Sequence, residues 1–465
     1  MSSQSAKVDL NLMESLERAR DSIITKGELP LWMISSESLY QLELRKLWPR
    51  TWNFVGHESE IPNPGNYMVR HVGPRDSVII VRGDDGRLRA FLNQCVHRGR
   101  KLSAVDYGET KVFKCPYHGW SYNLQGRCIG VPFIEKFPKD FDPDKNGLIE
   151  VRMESYGGLL FVNLDGRAES LRDYLGDYAW YLDIIVKRSK IGLEFHPPIR
   201  WVVPTNWKVA AENLNSDGYH IMTTHLSGIQ LGMMPPDVNF RGLVTALRVI
   251  SRKGHSIDFA HWQHDYILKH RELMPACYPK WAPEVIESAK SNLTTRQFET
   301  WITYHGRTMF GIIYPNLSIL HSFAGIEGLT DYARGIPGVP FIAFRLLRPI
   351  RNDLMEWTTW FAVEKDANPR FKQLSYRAYI QETSVGGFFE PDDMDNFQYI
   401  TESSMSLKAN LDGENVRAVY PLRADPVRPL HEIVYDDVEV IPLGITEQGM
   451  RYFWARYFDY LLNGD

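Results

Sequence analysis

Cysteine is scarce in this chain. Four occur among 465 residues, Cys95, Cys115, Cys128 and Cys277, too few for a disulfide framework and in keeping with a reducing cytoplasm. Positive charge is not in excess: the net charge is −4 and no Lys/Arg run interrupts the mixture, so nucleic acid is not an expected partner. No apolar stretch approaches the ~20 residues of a membrane-spanning helix, and no membrane partner is expected. The N-terminal segment MSSQSAKVDLNLMESLERARDS lacks the apolar core of a signal peptide, so the expected location is cytoplasmic. There is no internal repeat, no low-complexity tract and no Gly-x-Gly-x-x-Gly dinucleotide fingerprint. What remains is ordinary globular composition, 44% hydrophobic and 24% charged, at a length that calls for two or three domains.

Two of the four cysteines stand in matched surroundings, Cys95-Val96-His97 and Cys115-Pro116-Tyr117-His118. A structural zinc site is the plain alternative, but zinc fingers group their ligands as Cys-x(2–4)-Cys and His-x(3–5)-His. Here each half-site mixes the two types. Two thiolates on one iron and two imidazoles on the other is the Rieske [2Fe–2S] ligand set. Neutral imidazoles remove negative charge from the cluster and raise its potential, which suits the passing of single electrons. Gly99 and Gly119 follow the ligands and let two loops approach a cluster closely. Cys128 and Cys277 are left over and read as buried or inert thiols.

The texture changes along the chain. Residues 10–24 carry apolar residues at helical spacing, which predicts a first amphipathic helix. From 52 to 164 short β-type runs follow, at 67–72, 77–82, 88–92 and 158–162, separated by turn signals at 62–65, 73–74 and 83–86. Both halves of the Cys-His motif fall in this block. After Ser170 helical stretches return, followed by strand-like segments at 311–314, 317–320 and 357–363 and a closing helix at 446–462. The expected fold is α+β: an N-terminal antiparallel β domain bearing the cluster, then a domain with a large antiparallel sheet flanked by helices. The expected division is 1–49, a helical segment packing with the second domain; 50–170, the cluster domain; and 171–465, the catalytic domain.

Residues 207–225 concentrate polar groups inside a helical pattern. Asn213, Asp217 and His220 lie at i, i+4 and i+7, so one helix is expected to project all three from one face. His225 lies roughly 140° further round an ideal helix. For both imidazoles to meet one ion the helix must loosen or end between them, where Thr223, Thr224 and then Gly228 stand. Two histidines and one carboxylate on one face of an octahedron form the facial triad of non-haem Fe(II) oxygenases. The competing reading is a pair of satisfied histidines at a helix end. A cluster in the same chain that needs an electron acceptor favours the metal.

The Cys-x-His and Cys-x-x-His pair followed by Glu-Asn-x3-Asp-x2-His-x4-His resembles the large (α) subunit of the Rieske non-haem iron aromatic-ring-hydroxylating dioxygenases. The resemblance covers nearly the whole chain and is closest to the naphthalene and biphenyl type. It implies a third iron ligand far downstream, in the Gly-rich and then acidic segment 383–396, where Asp393 matches the ligand position and Asp392 competes with it. The residues alone do not choose among Asp392, Asp393 and Asp395. Asp217 and Asn213 are implied as catalytic residues outside the ligand set. Asp217 would bridge His118 of one protomer to His220 of the next, within a closed three-fold ring, and would orient the imidazole it touches.

By matched position the resemblance places Asn213, Leu214, Ile221, Leu226, Ile312, Asn316, His321, Phe388 and Phe389 at a substrate pocket. Phe389 stands where naphthalene-type enzymes carry Trp, and Thr383 where they carry a bulky Phe, so a pocket of different shape is expected. Residues 222–234 are read as a lid. Arg241, Arg248 and Arg345 could meet a substrate carboxylate. The implied activity is that of a terminal oxygenase that cis-dihydroxylates an aromatic ring with O2. Its electrons come ultimately from NAD(P)H held on a partner protein, through a ferredoxin and/or reductase, and a small β subunit is implied in an α3β3 hexamer. The alternatives are a Rieske monooxygenase acting on an aromatic acid or ether, and a Rieske electron carrier; three irons per chain against two would separate the oxygenase from the carrier.

Overall fold

Four consecutive apolar residues, Val78, Ile79, Ile80 and Val81, show how the smaller unit is built. On a strand, alternate side chains face opposite sides of the sheet. In the computed structural model Val78 and Ile80 enter one apolar cluster with Val55, Met68 and Leu160, while Ile79 and Val81 enter a second with Phe91, Trp120, Tyr122 and Leu124. The strand Asp76–Arg82 is therefore covered on both faces, which is why its sequence does not alternate. The structure describes residues 3–215, 217–230, 246–260, 277–303, 308–331, 336–411, 415–423, 437–441 and 446–463.

The chain divides into two compact units, Trp48–Leu171 and a second made of Met1–Leu47 with Arg172–Asp465. In the first, seven strands form an antiparallel sheet in the order Asn53–His57, Leu159–Asn163, Glu150–Tyr156, Leu88–Leu92, Asp76–Arg82, Asn66–Val72 and Tyr107–Glu109. A small three-stranded sheet, Phe113–Lys114, Ser121–Tyr122 and Cys128–Gly130, carries the second Cys-His motif in the loop between its first two strands.

The larger unit is organised on a nine-stranded antiparallel sheet. Its order runs Leu193–Phe195, Leu354–Glu364, Val339–Arg351, Leu317–Ala324, Met309–Ile313, Ser256–Ala260, Ala246–Ser251 and Val438–Ile441, with Ile199–Val203 also pairing on Leu354–Glu364. Helices flank the sheet, and their starts are readable: Asn206 caps Trp207–Asn213 by accepting from Lys208 N at 2.9 Å, and Asn368 caps Pro369–Thr383 from Phe371 N at 2.8 Å. The N-terminal helix Ser3–Thr25 packs on the closing helix Gln448–Leu462. Buried Glu43 ties three helices together: Oε1 accepts from Lys208 Nζ and Tyr457 Oη, both at 2.6 Å, and Oε2 accepts from Trp207 Nε1 at 3.1 Å. A buried carboxylate with three donors and one cation among them is compensated, and the knot seats the helix that leads to the histidines. The expected α+β architecture holds in both parts. No described helix is long and apolar enough to cross a membrane.

One local expectation does not hold. Asn213, Asp217 and His220 do not share a helix, because Trp207–Asn213 ends there and His220 begins a separate short helix, Ile221–Thr224. Asn215, Asp217 and Gly218 favour turns over continued helix. The loosening expected between the histidines does occur, since His225 terminates that short helix with φ −100° and ψ 22° before Leu226–Gln230 begins.

Candidate metal centres

The two Cys-His loops share one backbone design. Cys95 N donates to Arg100 O at 2.9 Å and Gly99 N to Cys95 O at 2.9 Å; Cys115 N donates to Trp120 O at 2.7 Å and Gly119 N to Cys115 O at 3.0 Å. Each loop is thus closed on its own cysteine, and the closure uses a left-handed glycine, φ +72° at Gly99 and +77° at Gly119. The loops bring the His97 and His118 rings to 4.6 Å between centroids. Cys95 and Cys115 are buried beneath them. Trp120 stacks on His97 at 4.9 Å with planes 4° apart and packs against Phe137 and Phe141.

The donor set fits a Rieske cluster. His97 Nδ1 and His118 Nδ1 are buried with no hydrogen-bond partner among the described residues, as nitrogens meant for a metal would be. Burial, His118 and Arg98 push His97 below its usual range and so favour the neutral imidazole a ligand must be. Burial raises the Cys95 thiol, and the adjacent Cys115 adds to the effect, so positive metal charge is what would hold it as thiolate. Tyr122 Oη lies 3.2 Å from Cys95 Sγ. Burial, with Cys95 next, keeps that phenol protonated, and hydrogen bonds to cluster sulfurs raise reduction potential. Sequence reading missed Trp120 and Tyr122; their signal is two aromatics at strand spacing directly after the second loop.

The second constellation gathers residues from distant parts of the chain. His220 Nε2 and His225 Nε2 lie 3.2 Å apart, and Asp393 Oδ1 lies 3.5 Å from the first and 3.3 Å from the second. Among the described residues this is the one group of three or more His, Cys, Asp or Glu side chains whose ligand atoms all fall within 4.8 Å. Asp393 is carried on the helix Phe389–Ser404, so the acidic part of the segment 383–396 is helical and turns Asp393 inward, 7% exposed. Asp392 points elsewhere: it accepts from Ser227 Oγ at 3.0 Å and approaches the other ring nitrogen of His225, Nδ1, at 3.8 Å.

The electrostatics favour a cation at this point. Burial alone would raise Asp393, but His225, His220 and Arg345 hold its carboxyl below the ordinary range. Burial works against charge on His220 too, yet Asp217 and Asp393 outweigh it and push that imidazole up to about 9. The field that draws a proton to His220 would equally stabilise a divalent metal, and two imidazole nitrogens with one carboxylate oxygen suit Fe(II).

Asp217 lies behind His220, its Oδ2 3.4 Å from Nδ1, the nitrogen opposite the constellation. Its Oδ1 accepts from Tyr219 N at 2.9 Å, and Asn213 Nδ2 reaches Oδ2 at 3.5 Å. Burial would raise Asp217, but His220 holds it low, so the carboxylate persists. A cavity of about 710 Å³ opens on this side, lined by Asp217, His220 and Asp393 together with Asn213, Glu212, Ile34 and Phe397. Glu212, the first residue of the Glu-Asn-x3-Asp motif and given no role there, accepts from Trp454 Nε1 at 2.7 Å and Tyr420 Oη at 2.8 Å; burial raises it to about 7.

Of the residues assigned by resemblance to a substrate pocket, Asn213 lines this cavity and the others do not. Phe389 sets its ring edge-on to His225 at 4.7 Å, and Phe388 packs on Phe389 at 5.2 Å. Leu214 is buried, Ile221 half-buried and Leu226 exposed, along the segment that holds the two histidines. Ile312, Asn316 and His321 are buried with the sheet; Asn316 Nδ2 donates to Leu347 O at 2.8 Å, and His321 Nε2 lies 2.9 Å from Tyr278 Oη. Arg248 and Arg345 are committed internally, to Asp258 and Glu390, rather than offered to a substrate carboxylate. A buried guanidinium demands such a partner. Arg241 lies outside the described residues, as do 231–234 of the segment read as a lid and the side chain of Cys277. Cys128 is a buried free thiol.

Comparison with known proteins assigns a description to each part of the chain. Residues 51–143 match the Rieske [2Fe-2S] domain, and residues 171–462 match the ring hydroxylating alpha subunit (catalytic domain). The chain is 33% identical over 400 residues to biphenyl dioxygenase subunit alpha of Paraburkholderia xenovorans (strain LB400), covering 83% of this chain and 81% of that one. It is 32% identical to N,N-dimethyl phenylurea N-demethylase subunit alpha of Sphingobium sp. (strain YBL2), covering 82% and 80%. The crystal structure of naphthalene 1,2-dioxygenase from Rhodococcus sp. bound to indole superposes with a TM-score of 0.86 at 31% identity, covering 97% of this chain and 98% of that one.

Proposed function

The chain belongs to the aromatic-ring-hydroxylating dioxygenase α subunits, and we propose that its two ligand constellations are the two metal centres of that reaction. Members are oxidoreductases that join a Rieske cluster to mononuclear iron and consume O2, which leaves no place for the electron-carrier alternative. On our reading Cys95, His97, Cys115 and His118 hold the cluster, and His220, His225 and Asp393 hold the iron. The observation that carries this is the approach of Asp393 Oδ1 to both imidazole Nε2 atoms, from a helix remote in sequence.

Loaded in this way, the cluster supplies single electrons and the iron a place where O2 meets substrate. The protein's own contributions follow from the geometry. Asp217 fixes the His220 ring from behind and keeps Nε2 directed at the iron position. Its carboxylate also borders the open cavity, where it can accept from His118 of a neighbouring copy; that supports electron entry between protomers of a closed ring, with a small β subunit completing an α3β3 assembly. Phe389 beside His225 gives the site an apolar wall suited to an aromatic ring. A ferredoxin and/or reductase would deliver electrons from NAD(P)H bound on that partner. The scarcity of cysteine, with two of the four assigned to the cluster, supports a reducing, cytoplasmic setting.

We take the reaction to be cis-dihydroxylation of an aromatic hydrocarbon. The demethylase relative of nearly equal identity favours one second reading, oxidation of an N-methyl group. Turnover under ¹⁸O2 with a reductase and ferredoxin, on naphthalene, biphenyl and N,N-dimethyl phenylurea, decides between them. Two labelled atoms in a cis-dihydrodiol are expected; formaldehyde release with no diol would overturn dioxygenation in favour of the second reading.

A further inference from the structure

The helix that carries Asp393 begins without a conventional cap. Its N-cap position is Phe388, in helical conformation (φ −92°, ψ −44°) and with no side chain able to accept from the first turn. Yet Asp393, in the second turn, must present Oδ1 to two imidazoles at 3.3 and 3.5 Å. Something else has to fix where this helix starts. Arg345, on the strand Val339–Arg351, is 5% exposed and places Nη2 2.7 Å from Glu390 Oε1. Glu390 and Asp393 are three residues apart and share a helix face.

We propose that Arg345 is the positioning residue of the mononuclear centre: paired with Glu390 in the first turn, it anchors the start of the helix Phe389–Ser404 just after the Gly386-Gly387 turn and thereby places Asp393. This rests on the reading of His220, His225 and Asp393 as iron ligands. A buried arginine on a buried acid is a costly arrangement for a mere packing contact, since an apolar pair would fill the space as well. A lysine would keep the charge but not the planar fork that fixes direction.

The test uses holoenzyme and follows loss of the third iron to a chelator, with Rieske absorption and thermal midpoint read in parallel. Arg345→Met should release that iron about tenfold faster or more, the scale of losing an outer partner at a metal site, while cluster absorption stays unchanged. Arg345→Lys should fall between it and the unaltered protein. The double variant Arg345→Met/Glu390→Gln also removes the buried acid left without its partner, so its thermal midpoint should recover while iron release stays fast. Recovery of both together would overturn positioning in favour of a purely structural ion pair, and so would unaltered iron release in Arg345→Met. If Arg345→Met does not fold, Arg345→Lys decides alone: faster release supports the proposal, and an unaltered rate overturns it. Asp393→Ala separates the two levels. If it keeps the third iron, the ligand reading itself fails; if it loses the iron while Arg345→Met does not, only the inference fails.

Discussion

The two metal centres are built on opposite principles. In the Rieske unit each ligand loop closes on itself: Cys95 N reaches Arg100 O and Cys115 N reaches Trp120 O, so the geometry is set within a few residues. In the catalytic unit His220 and His225 flank one short helix, and Asp393 arrives on another helix that starts at Phe389. No local closure holds that triad together. Its precision comes from packing and from carboxylates such as Asp217 that stand behind the ligands. The lesson is that a loop-borne centre should answer mainly to changes inside its loops, whereas the assembled centre should answer to residues that touch no metal.

The largest effect expected from this contrast is at Asp217. Asp217→Asn keeps the size and an acceptor oxygen but loses the charge beside His220 Nδ1. Both metals should remain, three irons per chain, while turnover falls about 100-fold, the upper range for outer partners of a ligating histidine. Single-turnover oxidation of a chemically reduced cluster reads the step directly. A cluster that reoxidises at the unaltered rate in the presence of substrate would remove Asp217 from the electron path.

The loop-borne centre can be probed within its own design. Gly99 and Gly119 share the same left-handed conformation, but an added Cβ at Gly119 would meet Pro132 Cγ at 3.2 Å, whereas at Gly99 it meets only the Gln94 side chain at 3.7 Å. Gly99→Ala should therefore cost only the backbone term, about 1 kcal/mol. Gly119→Ala should cost that and a steric increment, about 2 kcal/mol in total. Denaturant titration followed by Rieske absorption measures both. Equal losses would show that the second loop has slack which the packing around it does not suggest.

How much of this was legible from residues alone follows the same division. The Cys-x-His and Cys-x-x-His loops could be read because their geometry is local, and residue spacing is itself local information. The strands of the Rieske unit were legible because short apolar runs with turn signals leave few alternatives, and Asn66–Val72 and Asp76–Arg82 fall where expected. The catalytic triad was not legible to the same depth. Spacing suggested one continuous helix from Asn213 to His220, but Asn215, Asp217 and Gly218 bend the chain into a turn, and tertiary contacts outweigh the 3.6-residue pattern. Asp392, Asp393 and Asp395 were indistinguishable as residue types. The choice depends on which face of Phe389–Ser404 is buried, and that is set by the helices packed against it, Trp32–Ser35 and Trp207–Asn213 among them. Arg248 and Arg345 looked available because a sequence does not show the internal acids, Asp258 and Glu390, that occupy them.

The smallest expected effect concerns pH. In the catalytic unit Asp177 N donates to Asp437 Oδ1 at 3.2 Å, and the two carboxyls face one another. Burial, followed by the hydrogen bond and charge of Asp437, raises Asp177 to about 7. In the Rieske unit the exposed Asp85 is shifted the other way, lowered by Arg89 at 2.7 Å. A raised acid binds more protons folded than unfolded, so its contribution is present below its usual value near 3.8 and is lost as pH rises through about 7. A lowered acid adds stability above 3.8 and loses it only in strong acid. Between pH 5 and 8, then, the catalytic unit should lose stability while the Rieske unit does not. Thermal unfolding followed by tryptophan fluorescence and by Rieske absorption at the two pH values distinguishes them. Asp437→Asn keeps an acceptor for Asp177 N but removes the opposing charge, so it should lessen the fluorescence-detected decline, the rest of which belongs to groups such as Glu212 that are raised in the same range, and leave the Rieske transition untouched. A decline equally steep in that variant would place the pH dependence on other groups.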